Sequence, residues 1–548
     1  MFIVCKKLSG KTRSCVSICR SKRNGSKVIQ ETIKYFGVAH NEDQRRVLVK
    51  LAEEELKNLK SLSKSQSLSA AEDPCSGALL SSMIEHYRMA DGFHDIFGAI
   101  FNSLNLSPHF SKLRHAQLMD VTIARIADPS SKLRTSQILT KSFLRPLSEN
   151  QIYRLMDDLI EKEEQIKKAV FEKTKSLTPK QSIDLLFFDV TTLYFESQKA
   201  DDLRNFGYGK DGKKGEVQVM LALATTSSGL PIGYTLFPGN TGEVDTLLKS
   251  LDDWKRIFTI GEVTVVADRA MMSEDNLKKM EGAQLNYVVA AKLKSLPAKL
   301  KQEILSRKHE VSIEVNKEPM QVQEYQYKGR RLIVSFNESR ARKDRGDRER
   351  LITKLKSKLG KDNQTNPKKL ITNNGYLKFV NEKQQGKVAL NEGKIIQEEL
   401  WDGLHGIITS RREMPAQELL QQYRRLWVIE ESFRINKHSL SMRPIYHFRT
   451  KRINAHILIC YIAFAIARFT QERIRVFDES MSVEKIREEL ANIEVSILED
   501  ETSGKFYKVP SKMNKKANLI YRAMGAKRSH RPSEFKMSKN VVEQNFFK

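Results

Sequence analysis

The chain has 548 residues, 94 of them Lys or Arg and 67 Asp or Glu, for a formal charge of +27. That length leaves room for several domains with their own cores, and the charge points to a polyanionic partner without separating DNA from RNA or an acidic membrane. No apolar run approaches the roughly 18 residues of a membrane span, and the five cysteines, an odd number, fit a reducing cytoplasm better than a disulfide framework.

The opening stretch, MFIVCKKLSGK, has no long apolar core and no small-residue cleavage site, so it does not read as an export signal. SCVSICRSKRNGSKVIQETIKYFG reads as two strands about an Asn24-Gly25 turn, and EDQRRVLVKLAEEELKNLK follows with helical periodicity. Residues 1–60 are thus a small basic module, suited to DNA or serving as a plain surface piece. Cys15 and Cys19 lie near Cys5 with no histidine among them, which favours strand cysteines over a zinc site. Residues 61–77 are Ser-rich and read as a linker. From 78 to 180 apolar residues recur at helical spacing, with a break at Pro129-Ser130. This stretch reads as an all-helical domain for DNA binding or for packing.

Residues 181–294 read as four strands, a helix and a fifth strand. EVQVMLALATT and LPIGYTLFPG form a hairpin through Ser227-Ser228-Gly229. The first strand, SIDLLFFDVTTLYFE, holds Asp189 in apolar surroundings, where a carboxylate needs a partner or a metal. Thr191 and Thr192 are available as such partners. Asp268 closes the strand EVTVVADRA ahead of the helical run MSEDNLKKMEGAQ, at the end of a strand where ligands bind in α/β sheets. It could equally cap that helix. Gly207 to Lys213 matches the front of a phosphate-binding loop, but Lys214 stands where Ser or Thr is needed, so nucleotide binding is rejected.

Residues 295–400 read as a β-rich insertion of short strands, HEVSIEVN, MQVQEYQYKGRRLIVSF, YLKFVNEK and KVALNEGKIIQEELWDG. These bracket the charged helix SRARKDRGDRERLITKLKSKLGK, solvated by default and a phosphate contact as the next choice. Residues 401–475 resume the core with the strand HGIITS. QYRRLWVIEESFRINKHSL, 422–440, has no Gly or Pro and reads as one helix. At about 100° per residue, Tyr423, Trp427, Glu430, Arg434 and Lys437 share one line, and Glu431 is turned about 100° away. Trp427 is expected to pack. NAHILICYIAFAIARFTQERI is an apolar helix covering the sheet, and 476–548 is a basic region ending in a loose tail, MGAKRSHRPSEFKMSKN.

Asp189, Asp268 and Glu430 have a joint explanation. Three carboxylates can hold two divalent ions that activate water or a 3′-hydroxyl against a phosphodiester, and oxygen donors suit Mg²⁺ or Mn²⁺. The set resembles the DDE transposases of bacterial insertion sequences. More narrowly, it resembles the branch with a Tyr-x2-Arg-x3-Glu-x6-Lys signature and a β-rich insertion. Tyr423, Glu430 and Lys437 match that signature, while Leu426 stands at its Arg position and Arg434 is taken as the substitute charge. FDVTTLYF and Asp268-Arg269 resemble the first and second acidic motifs. GYGKDGKK, GLPIGYTLFPGNTGEVDTL, ARKDRGDRER and RPIYH are further similar segments, with Gly209 where Ser is usual.

The resemblance implies an α/β RNase H-like catalytic core interrupted by the insertion, with helical and small α+β N-terminal DNA-binding domains. It implies cleavage and strand transfer at the ends of an insertion sequence, with Asp189, Asp268 and Glu430 as catalytic metal ligands. Arg269, Tyr423, Arg434 and Lys437 would hold DNA phosphates. It further implies double-stranded end and target DNA as partners, a homodimer in the active complex, no membrane, and a bacterial cytoplasmic, nucleoid-associated location. A DNA-binding regulator or domesticated transposase without chemistry, and a nuclease that cuts without joining, are the other readings.

Overall fold

The computed structural model describes residues 1–7, 14–24, 27–62, 80–178, 181–196, 199–207, 216–258, 263–268, 273–306, 311–315, 318–359, 378–382 and 388–535. The N-terminal strands β1 (Phe2–Lys7), β2 (Ser14–Asn24) and β3 (Lys27–Ala39) form an antiparallel sheet in the order β1-β2-β3. Asn24 opposite Lys27 is its last pair before the expected turn. Alternating Val16, Ile18 and Phe36 bury against Leu48 and Leu51 of α1 (Glu42–Leu62), the pattern of a sheet with one covered face.

The following segment is not all-helical. Met83–Met89 is a strand, β4, ahead of α2 (Gly92–Asn102), α3 (Lys112–Ala127), α4 (Lys132–Lys141), α5 (Glu149–Leu159) and α6 (Glu163–Leu177). Ser111, Ser131 and Ser148 each accept a backbone N–H at a helix start, and Ser148 with Gln151 completes a capping box. Ser131 therefore starts a new helix just after the Pro129-Ser130 break.

The central sheet begins with β5 (Leu185–Tyr194), β6 (Asn205–Phe206), β7 (Val217–Thr225) and β8 (Pro231–Pro238). A helix not anticipated, α7 (Glu243–Ile257), precedes β9 (Thr264–Ala267); α8 (Glu274–Gly282) and β10 (Asn286–Ala290) follow. After α9 (Ala298–Ser306) come β11 (Val311–Val315), β12 (Glu318–Tyr327) and β13 (Arg330–Phe336). β12 and β13 are two arms of a hairpin rather than one strand, turned at Lys328 and Gly329, both at positive φ.

The charged helix α10 (Glu338–Leu359) precedes the small ribbon β14 (Val380–Glu382) and β15 (Val388–Leu390). KIIQEE belongs to a helix, α11 (Glu392–Glu399), because the Asn391 side chain accepts from Lys394 N and starts a turn where an extended run was expected. β16 (Leu404–Thr409) then pairs antiparallel with both β10 and β13. β11, β12 and β13 of the expected insertion therefore extend the central sheet, while β14 and β15 remain a separate ribbon. The central sheet has ten strands in the order β11-β12-β13-β16-β10-β9-β5-β7-β6, with β8 also on β7.

The expected single helix 422–440 is three pieces. α12 (Ala416–Arg424) ends at Arg425, α13 (Trp427–Arg434) restarts, and Ile435–Ser439 is a π turn. Chain composition allowed a continuous helix, but Leu426, 9% exposed, is drawn into the core at the joint. α14 (Thr450–Arg475) runs beneath the sheet and packs against α2, α3, α5 and α6. It is long and apolar enough, by length and composition, to cross a membrane, contrary to the sequence reading, and 94% of its most apolar window is buried inside the protein. A helix apolar all round is a core helix when protein surrounds it.

The C-terminal region is not a loose tail through residue 535. α15 (Val483–Ala491), β17 (Val495–Asp500), β18 (Lys505–Pro510), α16 (Lys515–Met524) and β19 (Ser533–Phe535) fold back, and β17 pairs with β4 to give a sheet β19-β18-β17-β4. Burial of Ile497 and Tyr507 in that sheet, and of Ile520 and Tyr521 against the main core, supplies the apolar contact that holds a basic segment in place. The remainder of the expected tail, 536–540, lies outside the described residues, as do 541–548.

Candidate active site

Asp189 and Asp268 stand level on neighbouring parallel strands. β5 and β9 pair Leu185 with Thr264, Leu186 with Val265 and Phe187 with Val266. Carried two residues past the last of these pairs, the register sets Asp189 level with Asp268, which lies just beyond the end of β9, on strands about 4.8 Å apart. Side chains alternate along a strand, so both acids belong to the face of Phe187 and Val266, whereas Leu186, Phe188, Val265 and Ala267 bury into the opposite core. Asp189 is half-buried and its Oδ1 accepts the N–H of Val190 at 2.7 Å. Asp268 is exposed just past the carboxyl end of β9.

The third acid comes from the helices laid over that face. α12 packs against β9 and β10, and α13 packs against β5 and β7. Ile429 and Phe433 bury toward the sheet and leave Glu430 exposed. A cleft of about 500 Å³ brings Glu430 together with Asp268, Tyr423 and Trp427. Tyr423 is half-buried, its ring 5.0 Å from that of His405 on β16.

Glu431 has a different environment. It is 12% exposed and accepts from Nη1 of the buried Arg468 at 3.1 Å, with Arg475 at 3.7 Å and Arg434 at 3.9 Å. Arg434, expected on the Glu430 line, thus makes its ion pair with Glu431 and is not among the cleft-lining residues described. Lys437 falls in the π turn, where a step of 100° per residue no longer holds, and it too is absent from the lining. Arg269 lies outside the described residues.

Trp427 does not pack as expected. It is 55% exposed on the cleft wall. The same cleft is also lined by Arg340, Lys343 and Asp344 of α10, the charged helix for which phosphate contact was the second choice, and by Glu318 of β12. The signal was the charged helix itself; nothing in its composition said which turn would face the acids.

The donor set suits a hard divalent cation in kind, since all three groups are carboxylates and two stand in register on adjacent strands. Among the described residues, no three acidic, Cys or His side chains are close enough to hold one ion.

A mixed α/β sheet carrying acids on one face beneath a helix with a third acid is the class this fold defines. The model of the transposase DDE domain family matches residues 180–466, just over half of the chain, and the chain belongs to that family. No curated protein matches it. Among solved structures, the chain is similar to a piggyBac transposase synaptic complex with hairpin DNA, at 10% identity over 73% of this chain and 78% of that one, with a TM-score of 0.35. It is also similar to a Mos1 transposase paired-end complex with the left transposon end, at 13% identity over 31% and 57%, with a TM-score of 0.14.

Proposed function

We propose that this transposase serves a bacterial insertion sequence, binding its ends and catalysing divalent-metal-dependent strand cleavage and strand transfer. The observation that carries the reading is the level placement of Asp189 and Asp268 beneath the Glu430 helix. The order β8-β7-β5-β9-β10, antiparallel on the first side of β5 and parallel on the second, supports an RNase H-like core.

Asp189, Asp268 and Glu430 would hold Mg²⁺ or Mn²⁺, in keeping with two ions. Bound there, the metal supplies charge stabilisation at the phosphoryl oxygens and lowers the pKa of the attacking water or 3′-hydroxyl. Arg340 and Lys343 lie across the cleft from Glu430 and would bind DNA phosphates, offsetting the acids' repulsion of the substrate. Tyr423 would position the scissile phosphate, and Trp427 presents an exposed aromatic ring on which a base can stack. Arg269, Arg434 and Lys437 would hold flanking phosphates. Two element ends call for two active sites, hence a homodimer on DNA.

The test is cleavage of a labelled element-end duplex by the wild-type chain and by Asp189→Asn and Asp268→Asn. Both variants should bind the duplex and fail to cut it. Wild-type cutting rates in either variant would remove that residue from the metal site.

A further inference from the structure

A second cavity, of about 470 Å³, lies where α3, α4 and α5 meet the segment after the π turn. Its wall holds Arg125, Lys132, Arg443, His447 and His456, against a single carboxylate, Glu149. Lys132 is 4% exposed, and the side-chain hydrogen-bond partner of its Nζ is Nδ1 of His456 at 3.4 Å. Arg125, also 4% exposed, donates to the Ser130 carbonyl at 2.8 Å. Neither cation has a carboxylate partner among the described residues. His456 turns its other nitrogen to the Met442 carbonyl at 3.2 Å.

Two buried cations without a counter-charge are costly. Burial first, then the neighbouring Arg125, pushes Lys132 down to about 7, and burial holds His447 near 3. An anion entering the cavity would remove that penalty. The ten-residue helix α4 begins at this cavity, with Ser131 capping it through the Arg134 N–H and the first turn's remaining N–H groups directed toward its start.

The cavity is tied to the catalytic strand. The Arg443 guanidinium lies 5.2 Å over the ring of Tyr194, and Ile445 N donates to the Tyr194 carbonyl. Tyr194 is five residues past Asp189 on β5, or about 17 Å along an extended strand. That is about five base pairs of duplex at about 3.4 Å each. Tyr446, 61% exposed, stands at the rim.

We propose that this cavity is a phosphate site that holds one backbone phosphodiester of the DNA running from the catalytic cleft. The assignment of the phosphate to DNA rests on the transposase reading; the anion site itself does not. The site takes a tetrahedral oxyanion through Lys132, Arg125 and the start of α4, with Arg443 at the edge nearer the cleft.

The test uses the full chain, with Lys132→Gln and with Leu133→Glu, which adds a carboxylate at the cavity mouth from a position that is 55% exposed. Leu113→Glu on α3, 66% exposed and outside the cavity lining, controls for net charge. With inorganic phosphate at matched ionic strength, the wild-type Tm should rise, and that rise should vanish in both cavity variants but not in the control. With an element-end duplex, the log–log salt slope should fall by about 0.9, the value for one phosphate. Ethylation of one particular phosphate should interfere with wild-type binding and no longer with the variants.

Unchanged salt slopes and interference patterns would overturn the proposal. Loss of the phosphate-induced Tm rise with DNA binding unchanged would overturn the DNA assignment and leave a free-phosphate site. If the wild-type chain does not cleave but the interference still depends on Lys132, the cleavage reading fails and the interference alone carries the DNA-phosphate site.

Discussion

Glu431 accepts a 3.1 Å hydrogen bond from Arg468, a guanidinium 2% exposed, while the neighbouring Glu430 faces the open cleft. One helical step therefore separates a buried, ion-paired carboxylate from the one proposed as a metal ligand. Glu430→Gln should abolish cleavage with both Mg²⁺ and Mn²⁺ and leave Tm unchanged. Glu431→Gln should lower stability by about 3–5 kcal/mol, the cost of breaking a buried ion pair. Its cleavage, measured per folded molecule below its Tm, should remain substantial. Thermal melts and cleavage assays on both purified variants check this; a dead but stable Glu431→Gln would reverse the assignment.

Arg468 also donates through Nε to the Gly229 carbonyl at 3.1 Å and through Nη2 to the Ser228 carbonyl. Gly229 has φ +81, and a Cβ there would stand 2.0 Å from Arg468 Nη2. Gly229→Ala should cost about 1–3 kcal/mol from overpacking, added to about 1–2 kcal/mol for a left-handed backbone at an L residue. A denaturant melt reads the loss, and a neutral outcome would mean that the β7–β8 turn repacks freely.

Leu426, at the signature's Arg position, lines the cleft, and Arg340 and Lys343 supply cations to the same space. Arg340→Ala or Lys343→Ala should lower end cleavage by about 10- to 100-fold, matching about 1.5–3 kcal/mol for a charged hydrogen bond. Arg434→Ala should have the smaller effect on cleavage. Single-turnover rates rank the three, and a larger loss at Arg434 would restore it as the substitute charge.

Trp427 is exposed and contributes little to the core. Trp427→Ala should leave Tm nearly unchanged and weaken binding of an end with an unpaired terminal base by about 1–3 kcal/mol, the scale of one base–aromatic stack. Fluorescence anisotropy with blunt and unpaired ends tests it; equal losses on both would argue for a contact other than stacking.

Removing the divalent ion with EDTA should stop cleavage and leave end binding, since basic side chains carry the affinity. Parallel gel-shift and cleavage assays distinguish the two, and a loss of binding on chelation would give the metal a structural role.

Chain-local chemistry made much of this molecule legible. Asp189 stood out because an acid in an apolar strand needs a reason, and Asp268 because it closes one. The hairpin of β2 and β3, the capped helices α3 to α5 and the long helix α14 follow from periodicity and side chains that bond within four residues. Glu430 was separable from Glu431 by helical phase over a short, regular stretch. Phase failed for Lys437, which falls in the π turn beyond α13, whereas Arg434 keeps the helical phase of Glu430 and is drawn instead to the neighbouring Glu431 carboxylate.

Other features exist only in three dimensions. The level placement of Asp189 and Asp268 is a register between strands 79 residues apart in sequence. The insertion strands β11 to β13 joined the central sheet because β16 pairs on both sides, with β10 and β13. The basic C-terminal segment became ordered because β17 found β4, more than 400 residues earlier in the chain. Lys132 is a routine helix-start residue in sequence and becomes a buried cation without a counter-charge only when α14 brings His456 against it. Local bonds are encoded within a turn or a strand, whereas burial of a charge depends on distant elements excluding water around it.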